Sequence, residues 1–377
     1  MKPADPSRRR FTRGALALAA APALSSCVLE GLNPVVVADY EAAVNEVIAS
    51  YGLPGVLAAV RNPGQTQWTR AFGKANVARG TALSTSSVFP IRSITKSFTV
   101  TLLLQLVRDG AVALDHNVGR YIAGVPNGTR ITLAHLAGMQ SGLVDYSAQK
   151  GFLTLFAANP LRVWTERQLI DYSLVVAPPF LPGAQYQYSN TNTVLLGMVV
   201  AGVTTQTLAD VMAARIFGPL ALTRTAYPSL ATLPDPHPTP YSLNVDTRVA
   251  SEESLISPTA LAGAGAITSS LADLLTWGDE LGTGSLIGAP QQALRKSSSR
   301  LVTNGPEYAR YGLGIGQIGR WWGHTGSGVG FQVATMNDPV TMATIAVMVN
   351  ATPEGGRADL NFAQVVFEAL AAVLEAG

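Results

Sequence analysis

The pattern of apolar and polar residues predicts a helix near each end of the chain. Residues 35–50 have the spacing of a helix, with Tyr40, Val44 and Val47 on one side. The C-terminal run RADLNFAQVVFEALAAVLEA has the spacing of an amphipathic helix. We therefore expect each end of the chain to contribute one helix to the fold.

Two pairs of strands are predicted next to these helices. GVLAAVRN and TQWTRAFGKA flank Pro63 and Gly64, which is the pattern of a hairpin. Near the other end, GVGFQVATMNDPVTMATIAVMVN indicates two strands joined at Asn337-Asp338-Pro339. We expect these strands to form one antiparallel sheet flanked by the terminal helices.

The middle of the chain differs from its ends. From Ser93 to about residue 300 the pattern is mostly helical and is interrupted by Gly and Pro. The predicted fold is α+β, with an antiparallel sheet of five or more strands and an inserted, mostly helical lobe. We place the sheet lobe at 28–90 together with 305–377, and the helical lobe at 91–304. A cleft between two lobes is the expected site.

Composition supports a large core and argues against a nucleic-acid partner. The 377 residues include 26 Lys and Arg against 24 Asp and Glu, a formal net charge of +2. A nucleic-acid-binding protein would need a clustered basic stripe. Hydrophobic residues make up 47% of the chain. Because single cores stop growing near about 250–300 residues, two lobes are expected.

Residues 1–27 are predicted to be an export signal. The stretch SRRRF from Ser7 resembles a twin-arginine motif and precedes a short apolar run. LSSC, ending at Cys27, resembles a lipobox, in which the cysteine is lipidated. Cys27 is the only cysteine, so it cannot form an internal disulfide. We expect a lipid anchor at the cell envelope; an ordinary cleaved signal, giving a secreted or periplasmic protein, is the alternative.

The first motif with candidate chemistry is Ser93-Ile94-Thr95-Lys96. Positions three apart are neighbours on a helix, so Ser93 and Lys96 would share one face. This spacing is common. A helix-capping serine and a lysine packed along its stem are the ordinary explanation when the motif stands alone.

Two further motifs follow along the chain. Tyr188-Ser189-Asn190 precedes an apolar helical run, and alternation in an extended segment would point Tyr188 and Asn190 the same way. GHTGSGVG contains His324 at a predicted strand edge, where small residues let a substrate approach closely. A buried tyrosine, a capping asparagine and a structural histidine are the ordinary explanations. The remaining histidines are expected to be structural or exposed: His116, His135 and His237.

The order and separation of the three motifs resemble those of the penicillin-recognising serine hydrolases. The Tyr-x-Asn and His-Thr-Gly forms are similar to the class C β-lactamase-like group, which includes D-alanyl-D-alanine carboxypeptidases and esterases. The resemblance covers nearly all of the mature chain, including ITLAHLAGMQSGLVDY, PGAQYQYSNTN, GAGAITSSLADLL and YGLGIG. It implies the β-lactamase/DD-peptidase fold and an enzyme that needs no cofactor.

The resemblance also implies roles for the first two motifs. Ser93 would be the nucleophile and would form an acyl-enzyme. Lys96, with a pKa lowered by desolvation, and Tyr188, as a phenolate favoured by cations, are coupled candidates for the general base. Asn190 would hold Lys96 and the substrate amide.

The third motif would bind the substrate. The backbone N–H groups of Ser93 and Ser327 would form the oxyanion hole. Thr325 and the strand from Gly326 would bind the substrate backbone. His324 replaces the lysine usual in the broader family, so we expect a cleft charge that titrates with a pKa near ~6–7.

One departure from the family pattern bears on the substrate. Carboxypeptidase relatives often place an arginine just after the YGLG stretch, whereas here Gly316 and Gln317 follow and Arg320 is the candidate substitute. Loss of the arginine clamp on a carboxylate would favour an esterase or a D-amino-acid amidase.

We expect a serine hydrolase, first of all a D-Ala-D-Ala carboxypeptidase-type peptidase acting on a small-molecule or cell-wall peptide substrate. Alternatives in the same family are an esterase and a β-lactamase. A non-catalytic cell-envelope binding module is the alternative of a different class. No metal site is expected, because no paired-histidine ligand spacing is present.

Overall fold

A computed structural model describes residues 34–303, 308–356 and 360–376. The predicted export signal and Cys27 lie outside the described residues. The α-helices of the described residues are α1 (Pro34–Tyr51), α2 (Thr95–Arg108), α3 (Leu133–Ala137), α4 (Lys150–Ala158), α5 (Glu166–Leu174), α6 (Asn190–Thr204), α7 (Leu208–Met212), α8 (Leu271–Thr283), α9 (Ala289–Ser297) and α10 (Phe362–Ala376).

The strands of the same residues form one large sheet and two small ones. They are β1 (Gly55–Arg61), β2 (Trp68–Asn76), β3 (Thr81–Ala82), β4 (Val88–Pro90), β5 (Tyr241–Asn244), β6 (Val249–Glu252), β7 (Thr268–Ser270), β8 (Arg300–Leu301), β9 (Arg310–Tyr311), β10 (Gly316–Ile318), β11 (Trp321–Gly328), β12 (Phe331–Asn337), β13 (Thr344–Val349) and β14 (Ala351–Pro353).

The large sheet combines strands from both ends of the chain. Its nine described strands have the order β3-β2-β1-β13-β12-β11-β10-β9-β8, and neighbouring strands pair antiparallel. The predicted turns at Pro63-Gly64 and at Asn337-Asp338 join β1 to β2 and β12 to β13. The α+β class and the antiparallel sheet are confirmed.

The terminal helices α1 and α10 cover one face of this sheet. Tyr40, Val44 and Val47 are buried there, as the helical spacing predicts, together with Phe362 and Val366 of α10. Burying this apolar side against the sheet supplies the stabilisation that a helix of this length lacks alone in water. The prediction of two flanking terminal helices is confirmed.

Helix α8 covers the opposite face of the sheet, and α2 packs on α8. Phe98 of α2 stacks on Trp277 of α8 with 3.6 Å between ring centroids. The middle of the chain is not only helical, because β5 pairs with both β14 and β6, and β4 pairs with β7. These short pairings were not predicted, since strands of three or four residues give little periodicity.

Within the ranges that the structure describes, no single helix has both the length and the apolar composition needed to cross a membrane. The segments Asn190–Thr204 and Leu208–Phe217 pass such a test only when taken together, and they meet at a bend of 83°.

Candidate active site

Ser93 lies in a tight turn that leads into α2. Arg92–Ile94 form a 3₁₀ turn, and Arg92 has a φ of 50°, which is unfavourable for a residue with a side chain. Strand β11 packs directly on this turn: a Cβ at Gly326 would lie 2.4 Å from the Ile91 carbonyl oxygen. Gly326 is therefore needed for contact with the serine turn, whereas we predicted that it makes room for substrate.

Lys96 is buried beside Ser93. Its Nζ lies 2.9 Å from Ser93 Oγ and 2.9 Å from the carbonyl oxygen of Ala264. Burial lowers the pKa of Lys96 to about 7, and the negative charge of Asp145 opposes this shift. A substantial fraction of Lys96 is therefore a neutral amine at neutral pH. Such an amine can accept the proton of the Ser93 hydroxyl.

Tyr188 contacts the same serine. It makes a side-chain hydrogen bond with Ser93, and Lys96 Nζ lies 4.9 Å from the centre of its ring. Burial of the hydroxyl is the main reason that the pKa of Tyr188 is raised well above its ordinary value, and the proximity of Tyr308 raises it further. The hydrogen bond with Ser93 acts in the opposite direction and lowers it. The expected phenolate is corrected: Tyr188 is a neutral phenol, and Lys96 is the group with a base-like pKa.

Asn190 is held by a carboxylate that we did not single out from the sequence. Its Nδ2 donates to Asp145 Oδ2 at 2.9 Å and to Ser147 Oγ at 3.1 Å, and its backbone N–H donates to the same Asp145 oxygen. Among the hydrogen bonds of the described residues, none joins Asn190 to Lys96, so that predicted contact is corrected. The sequence signal for Asp145 was the Asp-x-Ser turn pattern, in which Asp145 accepts the Ser147 N–H.

His324 is buried and neutral. Burial is the main reason that the pKa of His324 is lowered to about 3, and the nearby charge of Lys96 is the second. The hydrogen bond with the Thr325 backbone raises the pKa and only partly opposes this shift. The prediction that His324 titrates near neutrality is wrong. Its Nε2 lies 3.0 Å from the Tyr311 hydroxyl, and its Nδ1 lies 2.5 Å from the Thr325 carbonyl oxygen.

One edge of β11 is unpaired next to the Ser93 turn. In the described sheet, β10 pairs with β11 only up to Gly323. Thr325 N–H points to the unpaired edge and donates to the Tyr308 hydroxyl at 2.6 Å. Because backbone groups alternate with a period of two, the N–H of exposed Ser327 points to the same edge. The Tyr308 hydroxyl therefore occupies the hydrogen-bonding position at the Thr325 N–H, where we had predicted that the substrate backbone would bind.

Arg320 is not part of this site. Its Nη2 lies 3.0 Å from Asp338 Oδ2, and its Nε lies 3.3 Å from Glu375 Oε1 of α10. Arg320 thus pairs with acids where β11 begins, four residues before His324. It is not a substitute for the arginine clamp.

The other histidines have structural or surface contacts, as predicted. His135 forms a capping box with Thr132 at the start of α3. His116 Nδ1 lies 2.7 Å from the Tyr121 hydroxyl, and His237 lies 3.1 Å from a loop carboxylate. In the described part of the chain, no group of three or more His, Cys, Asp or Glu side chains is placed to hold a metal ion.

A small pocket lies next to Arg92 of the Ser93 turn. Arg92 and Gly265 line it beside the turn, and Leu233, Leu255 and Ile256 form much of its outer wall. Its free volume of about 20 Å³ is close to that of one water molecule by the same kind of measure. The pocket therefore fits a small apolar group without rearrangement.

A serine bonded to a buried, partly neutral lysine and to a neutral tyrosine is an arrangement typical of serine hydrolases. The sequence model of the beta-lactamase family matches residues 40–369. The chain belongs to this family of serine hydrolases, as the sequence motifs predicted.

Comparison with known proteins finds D-amino-acid hydrolases among the relatives. A D-aminopeptidase of Cereibacter sphaeroides is 35% identical over 173 residues, which are 46% of this chain and 33% of that protein. The match thus spans about a third of that relative. A D-stereospecific amidohydrolase from Streptomyces has a TM-score of 0.76 at 28% identity, covering 88% of this chain and 97% of its own. A D-amino acid amidase from Ochrobactrum anthropi has a TM-score of 0.80 at 24% identity, covering 91% and 98%, and shows the shared fold.

Proposed function

We propose that the protein is a serine amidohydrolase that forms an acyl-enzyme on Ser93 and acts on D-aminoacyl amides or short peptides. The observation that carries this proposal is the bonding of one hydroxyl, Ser93 Oγ, to both Lys96 and Tyr188. A binding module would gain nothing from burying an amine there, since burial disfavours its charged form.

The proposed reaction begins with proton transfer from Ser93 to neutral Lys96. Ser93 Oγ attacks the substrate carbonyl carbon, and the negative charge that forms on oxygen is bound by the N–H groups of Ser93 and Ser327. Tyr188 gives its proton to the leaving nitrogen as the carbon–nitrogen bond breaks, and it receives the proton held by Lys96. Water then hydrolyses the ester by the reverse sequence of proton transfers.

The charges around the site favour a leaving group without a carboxylate. A terminal carboxylate is usually bound by a cation, yet His324 is neutral and Arg320 pairs with Asp338 and Glu375. This argues for an amidase or aminopeptidase over the D-Ala-D-Ala carboxypeptidase that we expected first. The names of the relatives support a D-aminoacyl substrate.

The small pocket beside Arg92 would hold the acyl side chain. Its free volume of about 20 Å³ suits the methyl group of a D-alanyl substrate better than a benzyl group. With the acyl group there, we propose that the leaving amine lies toward Tyr188, which is next to Ser93. That position lets Tyr188 protonate the leaving nitrogen.

The test is a comparison of kcat/KM for D-alaninamide, L-alaninamide and N-acetyl-D-alanyl-D-alanine. We expect D-alaninamide to be cleaved at least about 10-fold faster than either other compound, since unpaired or misplaced polar groups typically cost this much or more. The Ser93→Ala variant is the control for contaminating activity. Faster cleavage of the acylated dipeptide would contradict the proposal and favour the carboxypeptidase. Cleavage of esters alone would favour an esterase, and no cleavage of any compound would favour a binding module.

A further inference from the structure

The proposed reaction gives no role to Arg92, the residue immediately before the nucleophile. Arg92 is only 4% exposed, and burial lowers its pKa to about 10. Its backbone φ is 50°, an angle that glycine adopts freely and that other residues adopt at a cost. A buried guanidinium also loses the hydration that stabilises its charge. Because both costs fall on one residue beside Ser93, a functional role for Arg92 is the reasonable hypothesis.

The Arg92 side chain runs along the end of the hairpin between β11 and β12. A Cβ added at Gly326 would lie 3.1 Å from Arg92 Cβ, and one added at Gly328 would lie 3.4 Å from Arg92 Cδ and Nε. Arg92 Nη2 donates to the carbonyl oxygen of Val329 at 2.9 Å. These contacts fall immediately before and after Ser327 and two residues beyond it. The side chain therefore lies against the backbone that carries the Ser327 N–H.

Arg92 also links this hairpin end, residues 327–330, to the Ser93 turn, residues 91–94. Among the hydrogen bonds of the described residues, the bond from Arg92 to Val329 is the one that joins the two segments. The other side-chain bonds to the hairpin end come from β12 and β14. Those bonds hold the hairpin end on the sheets, whereas Arg92 fixes it relative to the nucleophile.

The relative position of these two segments matters for the reaction, because each supplies one N–H to the proposed oxyanion hole. Two donors stabilise the same oxygen only when both point to the position that it takes in the transition state, and donors fixed in advance do so without rearrangement. We propose that Arg92 is a positioning residue, whose side chain sets the place of the Ser327 N–H relative to the Ser93 N–H by binding the hairpin end. The inference rests on the oxyanion hole of the proposed function and not on its choice of substrate.

The test replaces Arg92 by methionine, which keeps an unbranched apolar chain against the hairpin but cannot bind the Val329 carbonyl. We expect kcat for the p-nitrophenyl esters of acetic acid and of D-alanine to fall by about 10- to 100-fold, with each KM within about 3-fold of the wild type, since a small misplacement of catalytic groups costs about this much. Arg92→Lys, which keeps a charged donor, should recover most of the lost rate. Acetate has no acyl side chain, so a loss confined to the D-alanine ester would assign the effect to the acyl pocket and overturn the proposal.

Phenylboronic acid gives a second measurement that does not depend on substrate turnover. Ser93 Oγ adds to the boron while its proton passes to Lys96, and the product is a negatively charged tetrahedral boronate that resembles the transition state. Its inhibition constant should rise by about 10- to 100-fold in Arg92→Met, in parallel with the fall in kcat. Ser93→Ala should not bind it. An inhibition constant that stays unchanged in Arg92→Met would overturn the proposal.

Arg70→Met is the matched control, because it removes an arginine that pairs with Glu41 of α1 at 2.9 Å. It should keep the wild-type kcat and inhibition constant. If thermal unfolding shows that Arg92→Met does not fold, Arg92→Gly replaces it, since glycine adopts the same backbone angle without strain. A loss that Arg92→Lys does not recover, or an equal loss in Arg70→Met, would show a merely structural role and overturn the proposal. If the wild type cleaves the acetate ester but no D-aminoacyl compound, the proposed substrate is wrong, and the acetate ester and the boronate still judge the role of Arg92.

Discussion

Replacing Lys96 by methionine is expected to lower kcat/KM for D-alaninamide by about 10³- to 10⁴-fold, the upper range for loss of a general base. Methionine keeps an unbranched apolar chain in the buried position but has no amine to accept the Ser93 proton. The measurement is steady-state hydrolysis with purified wild type and variant. A loss of less than about 10-fold would show that another group activates Ser93.

The pH dependence of the wild type should report the same lysine. Only neutral Lys96 can accept a proton, so kcat/KM should rise with pH and level off above the Lys96 pKa of about 7. His324→Gln should leave this inflection in place, because His324 has a pKa of about 3 and remains neutral across the range. An inflection that disappears in His324→Gln would contradict the assignment.

Thermal unfolding provides the control that Lys96→Met still folds. The pKa of Lys96 is lower in the folded protein than in the unfolded chain, so the unfolded chain binds the proton more tightly. The Lys96 contribution to the free energy of unfolding therefore increases as the pH is raised from about 7 to about 10. At pH 7 the methionine variant should be at least as stable as the wild type. A clear loss of stability would mean that lost activity cannot be assigned to chemistry.

Replacing Tyr188 by phenylalanine has the second-largest expected effect, and it depends on the leaving group. An amide nitrogen must be protonated as it departs, so loss of the Tyr188 hydroxyl should lower kcat for D-alaninamide by about 10²- to 10³-fold. The p-nitrophenolate of an activated ester leaves without a proton and should be affected by about 10-fold or less. Equal losses on the two substrates would contradict the role of Tyr188 as proton donor.

Much of the fold was predictable because its signals are local. The apolar side of α1 and the turns after β1 and β12 depend on residue spacing along a few turns or strands, and the structure confirms them. The short pairing of β4 with β7 joins segments about 180 residues apart. No local pattern in three residues specifies such a partner.

The motifs predicted which residues meet at the site but not their protonation. Ser93, Lys96 and Tyr188 do come together, as their joint occurrence indicated. The charge of His324 depends on its burial and on Lys96, which a sequence motif does not describe. The bond between Asp145 and Asn190 likewise joins residues 45 positions apart.

Arg320 shows the same limit for a single residue. Its position after the YGLG stretch made it a candidate for binding a substrate carboxylate. The hairpin between β10 and β11 instead places it beside Asp338 and Glu375. Sequence distance from a motif is a poor guide when a turn reverses the chain in between.

The most direct test of the central claim is the intact mass of the full chain after brief reaction with the p-nitrophenyl ester of D-alanine and an acid quench, followed by peptide mapping. We predict one added D-alanyl group on Ser93, absent from Ser93→Ala and formed more slowly in Lys96→Met. Hydrolysis of the ester with no adduct on Ser93, or with an adduct on another residue, would contradict the account.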